Sequence, residues 1–294
     1  MKRCLVCSKT FDASDWACPA CGQRPEVRNG FPAFAPELDG QSDGFNPEFF
    51  RLMVEVEPRH FWFVARNRIL MDVMRKYFPE PEQVLEIGCG TGFVLSAMRA
   101  AFPRAQFSGS DIFTEGLAFT AQRVPDAFLF QMDARHVPFH EQFDLIGAFD
   151  VLEHIEEDES VLKQIYHACK PGGGIVLTVP QHRWLWSRVD DFAHHKRRYE
   201  REELLQKVRR AGFRIEYATS FVSLLLPLML ASRGMKKSGA NMDEQMQAVG
   251  LKVGVLANAV LKAVMRIETG LLKLGLSLPL GGSLLLVAGK PGTE

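Results

Sequence analysis

Short apolar runs alternate with longer stretches of helical periodicity along most of this 294-residue chain. Runs bounded by glycine, proline or polar residues predict strands at 84–87, 106–111, 128–132, 143–149, 175–179, 213–219 and 282–288. A helical pattern begins at Pro47 and ends at Pro79 and Pro81, and further helical patterns lie between the strands. The alternation predicts an α/β fold with a doubly wound, seven-stranded sheet.

Residues 221–280 interrupt this alternation before the last predicted strand. The apolar segment 221–231 is broken by Pro227 and is shorter than the about 20 residues that cross a bilayer. Apolar residues then recur at three- and four-residue steps and predict an amphipathic helix over 246–274: Met246, Val249, Val253, Leu256, Val260, Val264, Ile267, Leu271 and Leu274. Such a helix packs on the sheet, packs on a second subunit, or lies in a membrane interface.

Basic residues accompany that amphipathic pattern. Lys252, Lys262, Arg266 and Lys273 flank the apolar positions, and Arg233, Lys236 and Lys237 precede them. Basic flanks also suit an anionic membrane surface. We therefore expect the helix to pack on the sheet or on a second subunit, and peripheral membrane contact through residues 221–275 is the open alternative.

A glycine turn follows the first predicted strand and opens a helix. The stretch Val84-Leu-Glu-Ile-Gly-Cys-Gly-Thr-Gly92 has the spacing E-x-G-x-G-x-G, which differs from the G-x-G-x-x-G of dinucleotide sites. Glu86 would repel a pyrophosphate, but it suits a cationic ligand at the carboxyl end of the strand. The alternative is a tight turn with no ligand.

Four of the six cysteines form two knuckles near the start of the chain. Cys4-x-x-Cys7 and Cys18-x-x-Cys21 have the spacing of a closed, structural zinc site that resembles a zinc ribbon. A redox dithiol or two disulfides are the alternatives. We therefore divide the chain into a zinc ribbon at 1–28, a linker at 29–46 and a main domain at 47–294.

Composition narrows the function only slightly. The 35 basic and 35 acidic residues balance, which argues against a nucleic-acid partner. The start of the chain lacks a long apolar core, which argues against a secretory signal, and paired cysteines are typical of a reducing compartment. We therefore expect a cytoplasmic protein.

Three further motifs follow the glycine turn in order, at 143–146, 151–155 and 170–173, with the sequences F-D-L-I, V-L-E-H-I and K-P-G-G. Together with E-x-G-x-G-x-G they resemble class I S-adenosylmethionine-dependent methyltransferases, particularly the subgroup that includes quinone-biosynthesis O-methyltransferases. The resemblance covers about residues 60–220. It implies S-adenosylmethionine as cofactor and a tight hairpin between the last two strands, where this chain instead inserts residues 221–280.

The resemblance assigns a set of cofactor-binding residues. They are Trp62, Arg66, Glu86, Gly88, Cys89, Gly90, Gly92, Asp111, Ile112, Asp133, Ala134 and Asp150. Asp111 also lies about twenty residues beyond the turn, where a ribose-binding acid is expected, although an acid at a strand end is often a helix cap. The resemblance places Asp133 near the adenine, and Trp62 and Arg66 near the cofactor carboxylate.

Four residues are candidates for catalysis: His154, His195, Arg198 and Tyr199. His154 follows the fourth strand of the main domain, and the other three belong to an H-x-R-R-Y segment found in many members of the group. Imidazoles transfer protons near neutral pH, and arginine binds carboxylates or phosphates. The alternatives are a packed histidine and a solvated basic loop. Asp150, Glu153 and His154 are also a possible divalent-metal set, as in some related O-methyltransferases.

These observations predict transfer of a methyl group from S-adenosylmethionine to a small or lipid-linked acceptor. Oxygen is the expected methyl-accepting atom. Two other functions remain open. One is an rRNA methyltransferase that binds RNA through its zinc ribbon, and the other is a non-enzymatic zinc-ribbon adaptor.

Overall fold

A nine-stranded mixed sheet organises the chain in the computed structural model, which describes residues 1–40, 48–233 and 251–292. Strands β1 (Lys2–Arg3) and β2 (Thr10–Phe11) form a separate antiparallel pair. Strands β3 (Glu26–Arg28) and β4 (Phe31–Ala33) form a hairpin whose Asn29 and Gly30 have φ of 50° and 88°. Asn-Gly is the preferred dipeptide of tight hairpin turns.

The seven strands of the main domain follow along the chain. They are β5 (Gln83–Ile87), β6 (Gln106–Asp111), β7 (Phe128–Gln131), β8 (Phe143–Phe149), β9 (Cys169–Pro180), β10 (Arg214–Phe221) and β11 (Ser283–Gly289). The order across the sheet is β10-β11-β9-β8-β5-β6-β7-β4-β3, with β11 antiparallel to both its neighbours. Strand β5 pairs in parallel with both β6 and β8, so the strand order reverses there and ligands bind at its carboxyl end.

Nine helices are described beside the sheet. They are α1 (Glu48–Val56), α2 (Phe61–Tyr77), α3 (Phe93–Ala101), α4 (Thr114–Arg123), α5 (Asp158–Ala168), α6 (Arg188–Phe192), α7 (Arg201–Arg210), α8 (Leu226–Arg233) and α9 (Val255–Lys273). The pattern predicted from Pro47 is two helices, because the backbone turns around Pro58.

Side chains alternate across the central strands and fill two cores. Leu85 and Ile146 face a core that includes residues of α5 and α7, whereas Val84 and Leu145 face a core that includes residues of α2, α3 and α9. Most positions of β5 and β8 are therefore apolar, as the sequence pattern indicated, with the buried Glu86 as an exception. The predicted doubly wound α/β fold with seven strands in the main domain is confirmed.

Two predicted boundaries differ from the structure. Residues 170–174, predicted as a turn, lie within β9, where pairing with β8 passes from Cys169 to Gly174 and the intervening residues bulge out. Part of the predicted linker at 29–46 enters the sheet, because β4 pairs in parallel with β7 through Ala33 and Gln131.

The insertion contains α8 and α9, and α9 packs on α2. Asn258 accepts a hydrogen bond from the backbone of Phe61 and donates one to the backbone of Arg59. The predicted apolar stripe coincides only partly with the packing face, since Leu256, Val260, Ile267 and Leu274 are exposed whereas Val264 packs against the core. The buried face instead carries Met265, Glu268 and Thr269.

The remaining predictions for this insertion fall partly on residues that are not described. Lys236, Lys237, Met246 and Val249 lie outside the described residues. Within residues 1–40, 48–233 and 251–292, no helix is both long and apolar enough to span a bilayer.

Candidate active site

The glycine turn between β5 and α3 lies at the reversal point of the sheet. Gly88, Gly90 and Gly92 all have positive φ, a conformation that favours glycine. A Cβ at Gly88 would lie 2.5 Å from Val151, and one at Gly92 would lie 2.8 Å from Thr120. A Cβ at Gly90 would meet only the Phe50 ring, at 3.8 Å, so Gly90 is the position of the turn that faces open space.

Two buried carboxylates flank this turn. Glu86 is 2% exposed, and its Oε2 has no hydrogen-bond partner among the described residues. Burial raises its pKa well above the ordinary value, although the Arg66 guanidinium opposes that shift. Asp111 accepts hydrogen bonds from the backbone of Gly90 (2.8 Å) and Phe113 (3.0 Å), and burial raises its pKa to about 6.

Helices α1 and α2 cover the turn with charged side chains. The guanidinium of Arg66 forms an ion pair with Asp150 and lies 4.5 Å from the centroid of the Trp62 ring. Glu57 accepts a hydrogen bond from Thr91 in the turn and pairs with Arg123 at 2.7 Å. The structure therefore brings Trp62, Arg66 and Asp150 together beside the turn, as the resemblance implies.

The other cofactor candidates lie around the same edge. Asp133 follows β7, where Arg135 binds both its oxygens; these contacts outweigh burial and lower the pKa of Asp133. Ala134 is buried beside it, and the carbonyl of Ile112 accepts a hydrogen bond from the Gln131 side chain at 3.2 Å. Cys89 is buried, and burial raises the pKa of its thiol well above the ordinary value.

A second polar cluster follows β8. Glu153 is fully buried, and neither of its oxygens has a hydrogen-bond partner among the described residues. His195 Nε2 lies 3.9 Å from Glu153 Oε1, while His195 Nδ1 lies 2.9 Å from Asp190 Oδ1. The His154 ring lies edge-on to that of His195, with centroids 4.9 Å apart.

The electrostatics of this cluster separate the two histidines. Desolvation lowers the pKa of His154 to about 4, and the neighbouring basic groups of His195, His194 and Lys196 lower it further. Hydrogen bonds from His195 and Arg198 outweigh burial and lower the pKa of Asp190 to about 2. Asp190 therefore stays ionised, holds the His195 ring through Nδ1 and leaves Nε2 free to take a proton.

Arg66 connects the two clusters. Its positive charge lowers the pKa of both Glu86 and Glu153, against the larger effect of burial on each carboxyl group. The charge of this one guanidinium therefore acts on a carboxyl group of each cluster.

The other two catalytic candidates form hydrogen bonds with groups of the protein. Arg198 is buried and donates to Asp190 (2.7 Å) and to the carbonyl of Gln181 (3.0 Å). Tyr199 has no exposed surface, and its hydroxyl donates to Asp158 at 2.6 Å. Burial raises the pKa of Tyr199, which keeps the phenol protonated. These contacts favour a structural role for both residues, and their catalytic role stays a prediction.

The residues that come together as possible divalent-metal ligands differ from the set suggested by the sequence. Asp150 is engaged by Arg66, and the group whose ligand atoms lie within 4.8 Å of one another is Glu153, His154 and His195. One carboxylate and two imidazoles are donors that suit a divalent cation. The sequence motif suggested His195 for proton transfer and not for metal binding.

The four knuckle cysteines come together as predicted. Cys4 Sγ and Cys21 Sγ are 3.6 Å apart, as are those of Cys7 and Cys18. All four thiols are free, which is inconsistent with two disulfides. Tetrahedral zinc with Zn–S bonds of about 2.3 Å places sulfurs roughly 3.8 Å apart, so the cluster has the size of a zinc site.

The N-terminal segment also reaches the cofactor side of the sheet, which sequence reasoning missed. Gln131 at the end of β7 exchanges hydrogen bonds with the backbone of Ala35 (2.7 and 3.0 Å). Asp39 accepts hydrogen bonds from the backbone (3.0 Å) and hydroxyl (2.8 Å) of Thr114, the first residue of α4. Asp39 thus caps the helix that begins just after Asp111. The Asn29-Gly30 dipeptide was a signal for the β3–β4 hairpin, but not for these contacts with Gln131 and Thr114.

Comparisons with known proteins agree with this geometry. Residues 59–218 match the family described as a methyltransferase domain. The chain belongs to this family. It has the class I S-adenosylmethionine-dependent methyltransferase fold that its motifs resemble.

Individual relatives cover less of the chain. A malonyl-[acyl-carrier protein] O-methyltransferase of Methylococcus capsulatus is 28% identical over 49% of this chain and 56% of its own length. A ubiquinone/menaquinone biosynthesis C-methyltransferase of Desulfotalea psychrophila is 32% identical over 33% of this chain and 41% of its own length. The matched segments therefore span about half of these relatives or less.

Among solved structures, a phosphoethanolamine N-methyltransferase 2 of Haemonchus contortus with bound S-adenosyl-L-methionine superposes with a TM-score of 0.51. The two are 20% identical, and the match covers 76% of this chain and 52% of that one. At this identity the likeness concerns the fold.

Proposed function

We propose that this methyltransferase transfers a methyl group from S-adenosylmethionine to an oxygen of a small or lipid-linked acceptor. The observation that carries the proposal is a pair of polar clusters, each with a buried carboxyl group on which the charge of Arg66 acts. One cluster is an acid-flanked glycine turn with open space at Gly90, and the other is the buried Glu153–His195–Asp190 group.

The residues present fit the cofactor. The unpartnered Oε2 of Glu86 suits the cationic part of S-adenosylmethionine, and the Asp111 carboxylate suits the ribose hydroxyls. The space at Gly90 admits a ligand against the backbone. When bound, the cofactor supplies an electrophilic methyl group on a positively charged sulfur.

The protein's own residues would then align the acceptor and remove its proton. Alignment of nucleophile, methyl carbon and sulfur is the main contribution expected of such a site. His195 Nε2 would accept the proton that the acceptor hydroxyl loses. Asp190 at Nδ1 stabilises the imidazolium that results. His154, with a pKa near 4, is the weaker base.

Kinetics of single variants test this role. We expect His195→Ala to lower kcat about a hundredfold or more, because general base catalysis contributes roughly 10² to 10⁴. Calorimetry should give an unchanged Kd for the cofactor, because His195 lies outside the glycine turn. His167→Ala, an exposed histidine on α5, is the matched control and should keep full activity. Full activity of His195→Ala would remove this residue from the reaction.

A bound divalent cation is the second way to activate the hydroxyl, favoured by the bare oxygens of Glu153. The two routes respond differently to metal. If His195 acts alone, Mg²⁺ or Mn²⁺ leaves kcat unchanged in protein that retains its N-terminal zinc. A rate that rises with added cation, and no longer rises in Glu153→Gln, supports the metal route.

The relatives' names guide the choice of acceptor. The relative named for O-methylation acts on malonyl-[acyl-carrier protein], which suggests a carboxyl oxygen as the methyl acceptor. The relative of ubiquinone/menaquinone biosynthesis is named as a C-methyltransferase, so it suggests the class of acceptor and not the accepting atom. We also propose that a lipid-linked acceptor is collected at a membrane through residues 221–275. The balanced charge of the chain argues against RNA as acceptor, and the complete cofactor cluster argues against a non-enzymatic adaptor.

We propose that Cys4, Cys7, Cys18 and Cys21 hold one structural zinc ion. The sulfur spacing and the small apolar cluster around Phe11 support this, because so small a core needs metal to fold. Metal analysis of reduced protein should give one zinc per chain, and Cys18→Ser should lose it. Glu153→Gln should keep it. Reduced wild-type protein without zinc would contradict the proposal.

A further inference from the structure

Helix α9 is apolar on two opposite faces. Its inward face packs on the domain through Met265, which is 1% exposed, and through Glu268, whose carboxylate accepts hydrogen bonds from the backbone of residues 222–224. Its outward face consists of Leu256, Val260, Ile267 and Leu274, which are 84%, 63%, 61% and 83% exposed. Packing within the domain explains only the inward face.

Other exposed apolar residues lie in the same insertion. Leu228 and Leu230 of α8 are 54% and 47% exposed, and Leu276 and Leu280 after α9 are 51% and 52% exposed. Single exposed leucines are ordinary on protein surfaces, but this many in one segment indicate an interaction surface.

Within the described ranges 221–231 and 251–282, the charges that face solvent have one sign. Across 221–231 and 251–282 the charged residues are Lys252, Lys262, Arg266, Glu268 and Lys273. The single acid, Glu268, is fully buried on the inward face. On a helical projection of 100° per residue, Arg266, Lys273 and Lys262 lie along one border of the outward face.

We propose that the outward face of α9 binds the surface of an anionic phospholipid bilayer, with Arg266 and Lys273 at the headgroups. Apolar side chains enter the acyl boundary while a cationic border meets negative headgroups, which is how interfacial helices bind. A second copy of the chain fits less well. A twofold contact through this face would bring like positive borders close together.

The inference rests on the proposed lipid-linked acceptor for its purpose, but its geometry is independent of methyl transfer. An enzyme bound through the outward face of α9 would take its acceptor from the membrane surface without itself spanning the bilayer. Vesicle binding by the protein without cofactor therefore tests the surface, and methylation of a water-soluble acceptor tests the activity.

Co-sedimentation of the full chain with vesicles is the decisive experiment. We expect binding to phosphatidylglycerol-containing vesicles at low salt, weaker binding at high salt and little binding to phosphatidylcholine alone. Each headgroup cation contributes roughly fivefold in affinity. Arg266→Glu/Lys273→Glu should therefore weaken binding at least about 25-fold.

Two further variants complete the test. Lys163→Glu/Arg209→Glu, a pair of exposed cations on α5 and α7 beside the other core, should bind like wild type. Leu256→Ser/Ile267→Ser should weaken binding while leaving thermal stability unchanged, because both side chains are already exposed. The proposal is overturned if wild type does not bind anionic vesicles at low salt. It is also overturned if the Arg266/Lys273 and control variants bind alike, or if sedimentation velocity shows a dimer that Leu256→Ser/Ile267→Ser disrupts.

Discussion

The two edges of the sheet are covered by segments that attach through different kinds of contact. At the β7 edge, the β3–β4 hairpin and the segment after it attach through hydrogen bonds, with Ala35 on Gln131 and Asp39 on Thr114. Near the β10 edge, α8 and α9 attach through Glu268 and Met265, yet the outward face of α9 stays apolar and exposed.

This difference teaches how to distinguish structural contacts from binding surfaces. The N-terminal segment satisfies polar groups next to the cofactor cluster, so its contacts serve the fold and the cofactor site. The insertion carries more apolar surface than packing uses, and that surplus is what an external partner would bury. Damage to the first edge should weaken cofactor binding, whereas damage to the outward face of α9 should not.

The largest effect is expected within the glycine turn. Gly90→Val fills the open position beside the backbone and should weaken S-adenosylmethionine binding on the order of a hundredfold, about 2.7 kcal/mol. Gly172→Val is the matched control, since Gly172 also has positive φ (79°) and no neighbour within 4 Å of a Cβ. Calorimetry should find normal cofactor binding in the control. If both variants lost the same affinity for S-adenosylmethionine, backbone strain and not the filled space would explain the loss.

Local signals in the sequence were enough to find the glycine turn, the sheet and the cysteine cluster. Glu86, Asp111 and the four cysteines occur in short motifs whose chemistry depends on neighbours in the chain. Strand ends at Asp111 and Phe149 were also placed correctly, because polar residues interrupt the apolar runs there.

Long-range contacts and ambiguous faces were not accessible in this way. Asp39 reaches Thr114 across 75 positions, and Gln131 reaches Ala35 across 96, which no local pattern encodes. Tyr199 looked reactive from its type and position, but its environment is a buried hydrogen bond to Asp158. Periodicity could not orient α9, because both of its faces are apolar and only packing on α2 decides between them.

A tenfold effect is expected from pH on the cofactor side. Burial raises the pKa of Asp111 to about 6, so the carboxylate that would accept ribose hydroxyls forms as pH rises. Affinity for S-adenosylmethionine should therefore increase about tenfold from pH 5 to pH 7, the change in the ionised fraction. Asp111→Asn should bind weakly and lose this dependence. A dependence that persists in Asp111→Asn would assign it to another group.

The same shift affects stability in the opposite direction. The folded-state pKa of Asp111 lies above its unfolded value, so its contribution is fully present below about pH 4. That contribution is lost as pH rises through about 6. Chemical denaturation of Asp111→Asn against wild type should show this loss in wild type alone.

The smallest expected effect tests whether the N-terminal edge supports the cofactor site. Asp39→Ala removes the side chain that caps α4 and should lower the free energy of unfolding by about 1 kcal/mol, as the loss of a helix cap does. Because α4 begins at Thr114, only three residues after Asp111, we also expect the affinity for the cofactor to fall by up to about fivefold. Asp126→Ala, which breaks an exposed pair with Arg99, is the matched control and should leave affinity unchanged. Asp39→Ala could lose stability and still bind the cofactor with full affinity. In that case the N-terminal contacts stabilise the fold without positioning the cofactor residues. The β7 and β10 edges of the sheet would then differ only in the surface that each buries.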